Sequence, residues 1–152
     1  MDVHSRGPLW KLSNFATWPF ALDDVRCAGM EAFLQSLKAD TEDEQAAVAG
    51  MVGFAAKQHG RGLRWSGRPH VMWCGRTINR FGPEYQRLID RAYLALVRAN
   101  PGFVSALLAT GTAVLTHKIG RANAAETVLT EAEFVSRLHR IRAWLQADSL
   151  AA

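Results

Sequence analysis

Cysteine is scarce: Cys27 and Cys74 are the only two in 152 residues. They stand far apart and outside any Cys-x-x-Cys spacing, which excludes a disulfide framework and a thiolate zinc site and leaves free buried thiols as the default. Long apolar runs are missing too. No stretch approaches the roughly 20 residues that cross a bilayer, and the opening MDVHSRGPLW lacks the apolar segment of a secretory signal, so a cytoplasmic location without membrane contact is expected. The histidines, His4, His59, His70, His117 and His139, never form His-Glu-x-x-His or a close pair, which argues against a metal site. Gly-x-x-x-x-Gly-Lys-Ser/Thr, a strand-borne Gly-x-Gly-x-x-Gly and Gly-x-Ser-x-Gly are also absent. The common phosphate-loop, dinucleotide and nucleophile-elbow chemistries therefore have no support, and no cofactor is implied.

What is present suits one packed domain over residues 1–152. Apolar residues make up 49% and charged residues 21%, close to the average for globular domains. Only the end of the chain, ADSLAA at 147–152, reads as a fraying tail. The net charge of +4 and a pI near 9.5 favour anionic partners. The densest basic stretch, KQHGRGLRWSGRPH, interleaves Lys57, Arg61, Arg64 and Arg68 with glycines and Trp65. It suits phosphate binding with base stacking, or simply a solvated loop.

Periodicity outlines a mainly helical chain, a compact orthogonal arrangement of about five main helices with a small β-hairpin near the start. WPFAL and VRC flank Asp23-Asp24 as the arms of a short hairpin or ribbon. Met30, Phe33, Leu34 and Leu37 repeat with helical spacing from Gly29 to about Ala39. Thr41 and Glu44 have capping-box spacing, so a second helix is predicted from Glu42 through Gln58, stopping at Gly60 and Gly62. HVMW is a short extended piece in an otherwise irregular stretch. Pro83 opens the strongest helix, with Tyr85, Leu88, Ile89, Ala92, Tyr93 and Leu96 on one face, and Asn100-Pro101 restarts another. AVLTHKIG is a short strand or an extended crossing. Thr130 and Glu133 repeat the capping-box spacing before a final helix with Phe134, Leu138, Ile141 and Leu145 on its apolar face.

On the first helix Glu31, Gln35 and Lys38 lie at i, i+4 and i+7, one stripe beside the apolar seam. Roughly 10 Å separates the ends of that stripe, enough to bracket a small ligand. The same stripe is what any amphipathic helix shows at its solvent boundary, and spacing alone leaves both readings open.

A resemblance separates them. LSNF, then PFALDD, then MEAFLQSLKA resembles, in order and spacing, the opening signature of the NADAR (YbiA-like) family. AAKQHGR and FVSALLATGTAVLTH resemble later segments of that family. The resemblance implies a compact, mostly helical fold and hydrolysis of N-glycosidic bonds, in phosphorylated riboflavin-pathway intermediates or in ADP-ribosylated bases of nucleic acid. By position it implies Glu31 and Lys38 as catalytic residues and Asn14 as a substrate contact. Gln35, Trp73, His117 and Arg121 are further expected substrate contacts. Glu31 would stabilise positive charge at the anomeric carbon and guide a water. Alternatively Lys38, its pKa lowered by burial, would attack the anomeric carbon of a ring-opened sugar and hold it as a Schiff base. Asn14 would fix a ribose hydroxyl or base edge, or merely form an Asx turn. One departure stands out: IGRANAAETVLTEAEF lacks the Trp-Gly-x-Gly segment of the best-known members. The alternative is a non-catalytic module that binds an ADP-ribose-like ligand or nucleic acid. The expected partner is thus a phosphorylated nucleotide-like molecule or ADP-ribosylated nucleic acid; the oligomeric state is not legible.

Overall fold

The computed structural model describes residues 1–63, 65 and 67–151, with the side chains of 150 and 151 left aside. Arg64 of the basic stretch therefore lies outside the described residues. After a 3-10 turn at Trp10–Leu12 come β1 (Phe20–Leu22), β2 (Val25–Cys27), α1 (Met30–Ser36), α2 (Glu42–Ala49) and α3 (Gly53–Gly62). There follow β3 (His70–Trp73), β4 (Arg76–Asn79), α4 (Pro83–Ala99), α5 (Pro101–Leu108) and α6 (Glu131–Ala151). The expected mainly α architecture is present, and no described helix is long and apolar enough to cross a membrane.

Two differences from the sequence reading have local causes. The helix expected over 42–58 is two helices. In a continuous helix the Ala49 carbonyl would accept from the Gly53 amide, but here it accepts from Ala28 at 2.8 Å, Gly50 closes α2, and Val52 is extended with ψ 154°. The irregular stretch after residue 69 is a second antiparallel hairpin, with Val71 opposite Ile78 and Trp73 opposite Arg76. Its two-residue turn, Cys74 (φ 50°) and Gly75 (φ 79°), has the double positive φ of a type I′ turn, as do Asp23 (φ 48°) and Asp24 (φ 65°) in the first hairpin.

The predicted helix starts hold. The Thr41 hydroxyl accepts from the Glu44 amide at 3.1 Å, and before α6 Thr130 and Glu133 exchange both bonds of a capping box, at 2.9 and 3.1 Å. Helix α1 packs against α2, α3, α4 and β2. All seven of its residues are buried, so its polar residues lie below the surface instead of at a solvent edge. The N-terminal segment is stitched to the crossing before residue 118. Val3 donates to the Thr116 carbonyl at 2.8 Å and Thr116 to that of Met1 at 2.9 Å. The Asp2 carboxylate accepts from the Thr116 hydroxyl and the Lys118 amide.

Candidate functional site

A cleft of about 360 Å³ opens between α1, α3 and the loop that leads into α6. Its inner wall is Glu31, Gln35 and Lys38; α3 adds Lys57, Gly60 and Arg61; the loop side adds His117, Arg121 and Glu126. Asn14 and Phe15 close one end. Six of the seven residues expected from the sequence, Asn14, Glu31, Gln35, Lys38, His117 and Arg121, thus line one cavity. Trp73 lies outside it. Its indole donates to Asp23 Oδ2 at 2.8 Å and its ring meets Phe33 edge-on at 5.1 Å, so it belongs to the core beneath the first hairpin.

The LSNF turn explains how Glu31 is placed. The Ser13 hydroxyl accepts from the Phe15 amide at 3.2 Å, and the Asn14 carbonyl accepts from the Glu31 amide at 3.0 Å. One of the free amides of the first helical turn is thereby satisfied. Tyr93 donates its hydroxyl to Asn14 Oδ1 at 2.7 Å, which fixes the amide and leaves its NH2 to donate. Burial raises the Tyr93 hydroxyl well above its ordinary value, so it stays a donor.

Glu31 is only 7% exposed, and Gln35 Nε2 donates to its Oε1 at 2.7 Å. The other end of that amide, Gln35 Oε1, is buried with no hydrogen-bond partner. An orphan acceptor typically costs about 1–3 kcal/mol, and here it accompanies an amide turned with its donor toward the carboxylate. Gly60 makes the room: a Cβ there would sit 1.9 Å from Gln35 Oε1 and 2.8 Å from its carbonyl carbon. Gly60→Ala is therefore expected to push the Gln35 amide off Glu31. Alanine gains about 1 kcal/mol in helix propensity against a clash of about 1–3 kcal/mol. Stability should change by less than about 2 kcal/mol in a thermal melt. A crystal or NMR structure of the variant should show the Gln35 Nε2–Glu31 Oε1 hydrogen bond broken; an unchanged bond would mean that Gly60 does not set the position of the Gln35 amide.

Lys38 is half-buried, and its ammonium lies 5.9 Å from the Trp65 ring centre. Burial lowers its pKa; Glu31 pulls the other way, and Lys57, Arg121 and Arg61 add to the lowering. Among the described residues none of these four cations makes an ion pair within 4.0 Å, whereas Arg68 pairs with Asp40 at 2.7 Å outside the cleft. Against these four cations the lining sets two carboxylates, Glu31 and Glu126, so the cleft carries an excess of positive charge, as an anion site does. On the opposite wall His117 Nδ1 lies 2.6 Å from the Val3 carbonyl. A ring nitrogen against a carbonyl must donate, so in the neutral ring Nε2 is the acceptor.

Sequence reasoning missed the anchor of the loop wall. Arg80 is 1% exposed and forks onto Glu133 at 2.6 and 3.1 Å, while its Nε and Nη2 both donate to the Thr127 carbonyl at 3.0 Å. Its guanidinium also lies 4.5 Å from the Tyr85 ring centre, and the Tyr85 hydroxyl donates to the Val128 carbonyl. The only local signal was the Thr130–Glu133 capping box.

Comparison with known proteins agrees with this architecture. The family model described as bacteriophage protein GP30.3 matches residues 7–143. A relative from Enterobacteria phage T4, described as an uncharacterized 17.1 kDa protein in the Gp30-rIII intergenic region, is 38% identical over 139 residues. That alignment covers 90% of this chain and 91% of the relative. Among solved structures, the NMR structure of the E. coli protein YbiA superposes with a TM-score of 0.69, covering 100% of this chain and 88% of that one. At 16% identity this likeness is one of fold.

Proposed function

From the chain's membership of the bacteriophage protein GP30.3 family and its YbiA-like fold, we propose an N-glycosidase of the NADAR type. Its substrate would be a phosphorylated nucleoside-like compound or an ADP-ribosylated base. The observation that carries the reading is the convergence of buried Glu31 and half-buried Lys38 on one cleft with unpaired Lys57, Arg61 and Arg121. Breaking the C1′–N bond sends its electron pair to the base and leaves positive charge on the sugar. Glu31, held by Gln35, stabilises that charge and takes a proton from the water that attacks C1′. In the alternative route Lys38, less firmly protonated than an exposed lysine, adds as a neutral amine to C1′ of the ring-opened sugar; the C1′–N bond to the base breaks, the base leaves with the amine's proton, and water then hydrolyses the imine. The three outer cations hold phosphate. In place of the Trp-Gly-x-Gly segment the loop presents Arg121 and Glu126, which suits a substrate different from that of the best-known NADAR members.

The test is to incubate the protein with ADP-ribosylated DNA and with riboflavin-pathway phosphates, following released base and sugar phosphate by mass spectrometry, with borohydride present in one arm. Release is expected from at least one substrate class, and a borohydride-trapped adduct on Lys38 would select the imine route. Tight binding with no release from either class would replace the enzyme by a binding module.

A further inference from the structure

Helix α3 turns Ala56 and Gly60 inward, both buried, and carries Phe54, Lys57 and Arg61 at i, i+3 and i+7 on another face. That stripe is about 10 Å long. Phe54 is 65% exposed yet ordered against Phe15, with ring centres 4.6 Å apart and planes 29° from parallel. Lys57 Nζ lies 5.2 Å from the centre of the Phe15 ring. Phe15, Lys57 and Arg61 line the cleft, and Phe54, stacked on Phe15 and exposed, continues that surface outside it. No acidic residue occurs anywhere in α3, and neither cation has a carboxylate within 4.0 Å among the described residues. A flat apolar ring beside two unpaired cations calls for a partner that is itself flat, apolar on its faces and repeatedly anionic. Nucleobases on a phosphate backbone combine these properties, and a single strand, unlike a duplex, leaves base faces free to stack.

Resting on the glycosidase reading, we propose that Phe54, Lys57 and Arg61 form a track for single-stranded nucleic acid leading into the cleft. Phe54 stacks the base next to the modified nucleotide, and Lys57 and Arg61 hold the neighbouring phosphates. The substrate is then a base within a strand, with a free nucleotide filling only the inner part of the site.

The test is fluorescence anisotropy with labelled, unmodified oligonucleotides of about 12 nucleotides, DNA and RNA in separate arms. Wild type should bind a strand and prefer it to the duplex. Phe54→Ala should weaken binding about five- to a hundredfold while Phe54→Trp retains it, since base–aromatic stacking has that strength. Phe54 is exposed, so the melting temperature should not fall. The double variant Lys57→Gln/Arg61→Gln should reduce the slope of log Kd against log salt by about 1.4, two single-strand phosphate contacts' worth. Wild-type affinity in Phe54→Ala, equal competition by duplex, or no strand binding by wild type would each overturn the track. The probe has no bond to cleave, so these outcomes leave hydrolysis of a free phosphorylated compound unaffected. Conversely, an inert protein that still binds the strand through Phe54 would overturn the glycosidase and keep the track.

Discussion

For the glycosidase proposed above, Glu31→Gln is expected to lower the rate of N-glycoside cleavage by roughly 10²–10⁴-fold, the range for removing a positioned base and the charge opposite a developing cation. The substitution is nearly isosteric. Gln35 Nε2 still finds an oxygen acceptor where it now donates to Glu31 Oε1 at 2.7 Å, so the local packing is kept and stability should stay within about 1 kcal/mol. KM should change little, because the cleft cations Lys57, Arg61 and Arg121 are untouched, and the loss should fall on kcat. Single-turnover kinetics beside a thermal melt separate the two effects. A variant that turns over at the wild-type rate would remove Glu31 from the chemistry.

Arg80→Met is expected to cause the largest loss of stability, about 3–5 kcal/mol, because it strips the charged partner from Glu133 and two donors from the Thr127 carbonyl. For a chain of this size that lowers the melting temperature by on the order of 10 °C. Arg80→Lys should rescue little, since an ammonium cannot make the forked contact. The effect should depend on pH. Burial raises the Glu133 carboxyl, but hydrogen bonds from Arg80, Gln86 and the Thr130 amide outweigh it and hold the group below its ordinary value of 4.5. A depressed carboxyl contributes stability that is complete above the unfolded value and disappears as pH falls through the folded one. Wild-type stability should thus decline below about pH 4.5, and Arg80→Met should flatten that decline. Calorimetry over this range tests both, and a loss under about 1 kcal/mol would show that the fork is dispensable.

Those residues also mark what was legible in the sequence. Signals confined to a few neighbouring positions came through: the Asp23–Asp24 turn, the caps at Thr41 and Thr130, and Pro83 at a helix start. The break between α2 and α3 depends on Ala28 taking the Ala49 carbonyl, a bond between distant positions that no window around Gly50 contains. The second hairpin turns on Cys74 and Gly75, a pair less diagnostic than Asn-Gly or Asp-Gly. Helix α1 reads as amphipathic although neighbours enclose it, because sequence reports which residues are polar and not which are surrounded. Glu31 and Lys38 became candidates through the resemblance to an ordered motif, and the cleft then brought Lys57, Arg61 and Glu126 beside them. The fork of Arg80 onto Glu133 spans 53 positions, which is why an isolated arginine gave no warning of it.

The seam between the first residues and the crossing around Thr116 joins segments 114 positions apart, as His117 and Val3 illustrate. Closing so long a loop costs entropy that the seam's few hydrogen bonds do not cover by themselves, so the seam relies on the folded core to hold both ends near each other. The cleft wall bearing His117 and Ser5 is therefore built where two distant segments of the chain meet. A ligand gripped by that wall would therefore also hold the two distant segments of the chain together, and so stabilise the fold by its own binding free energy.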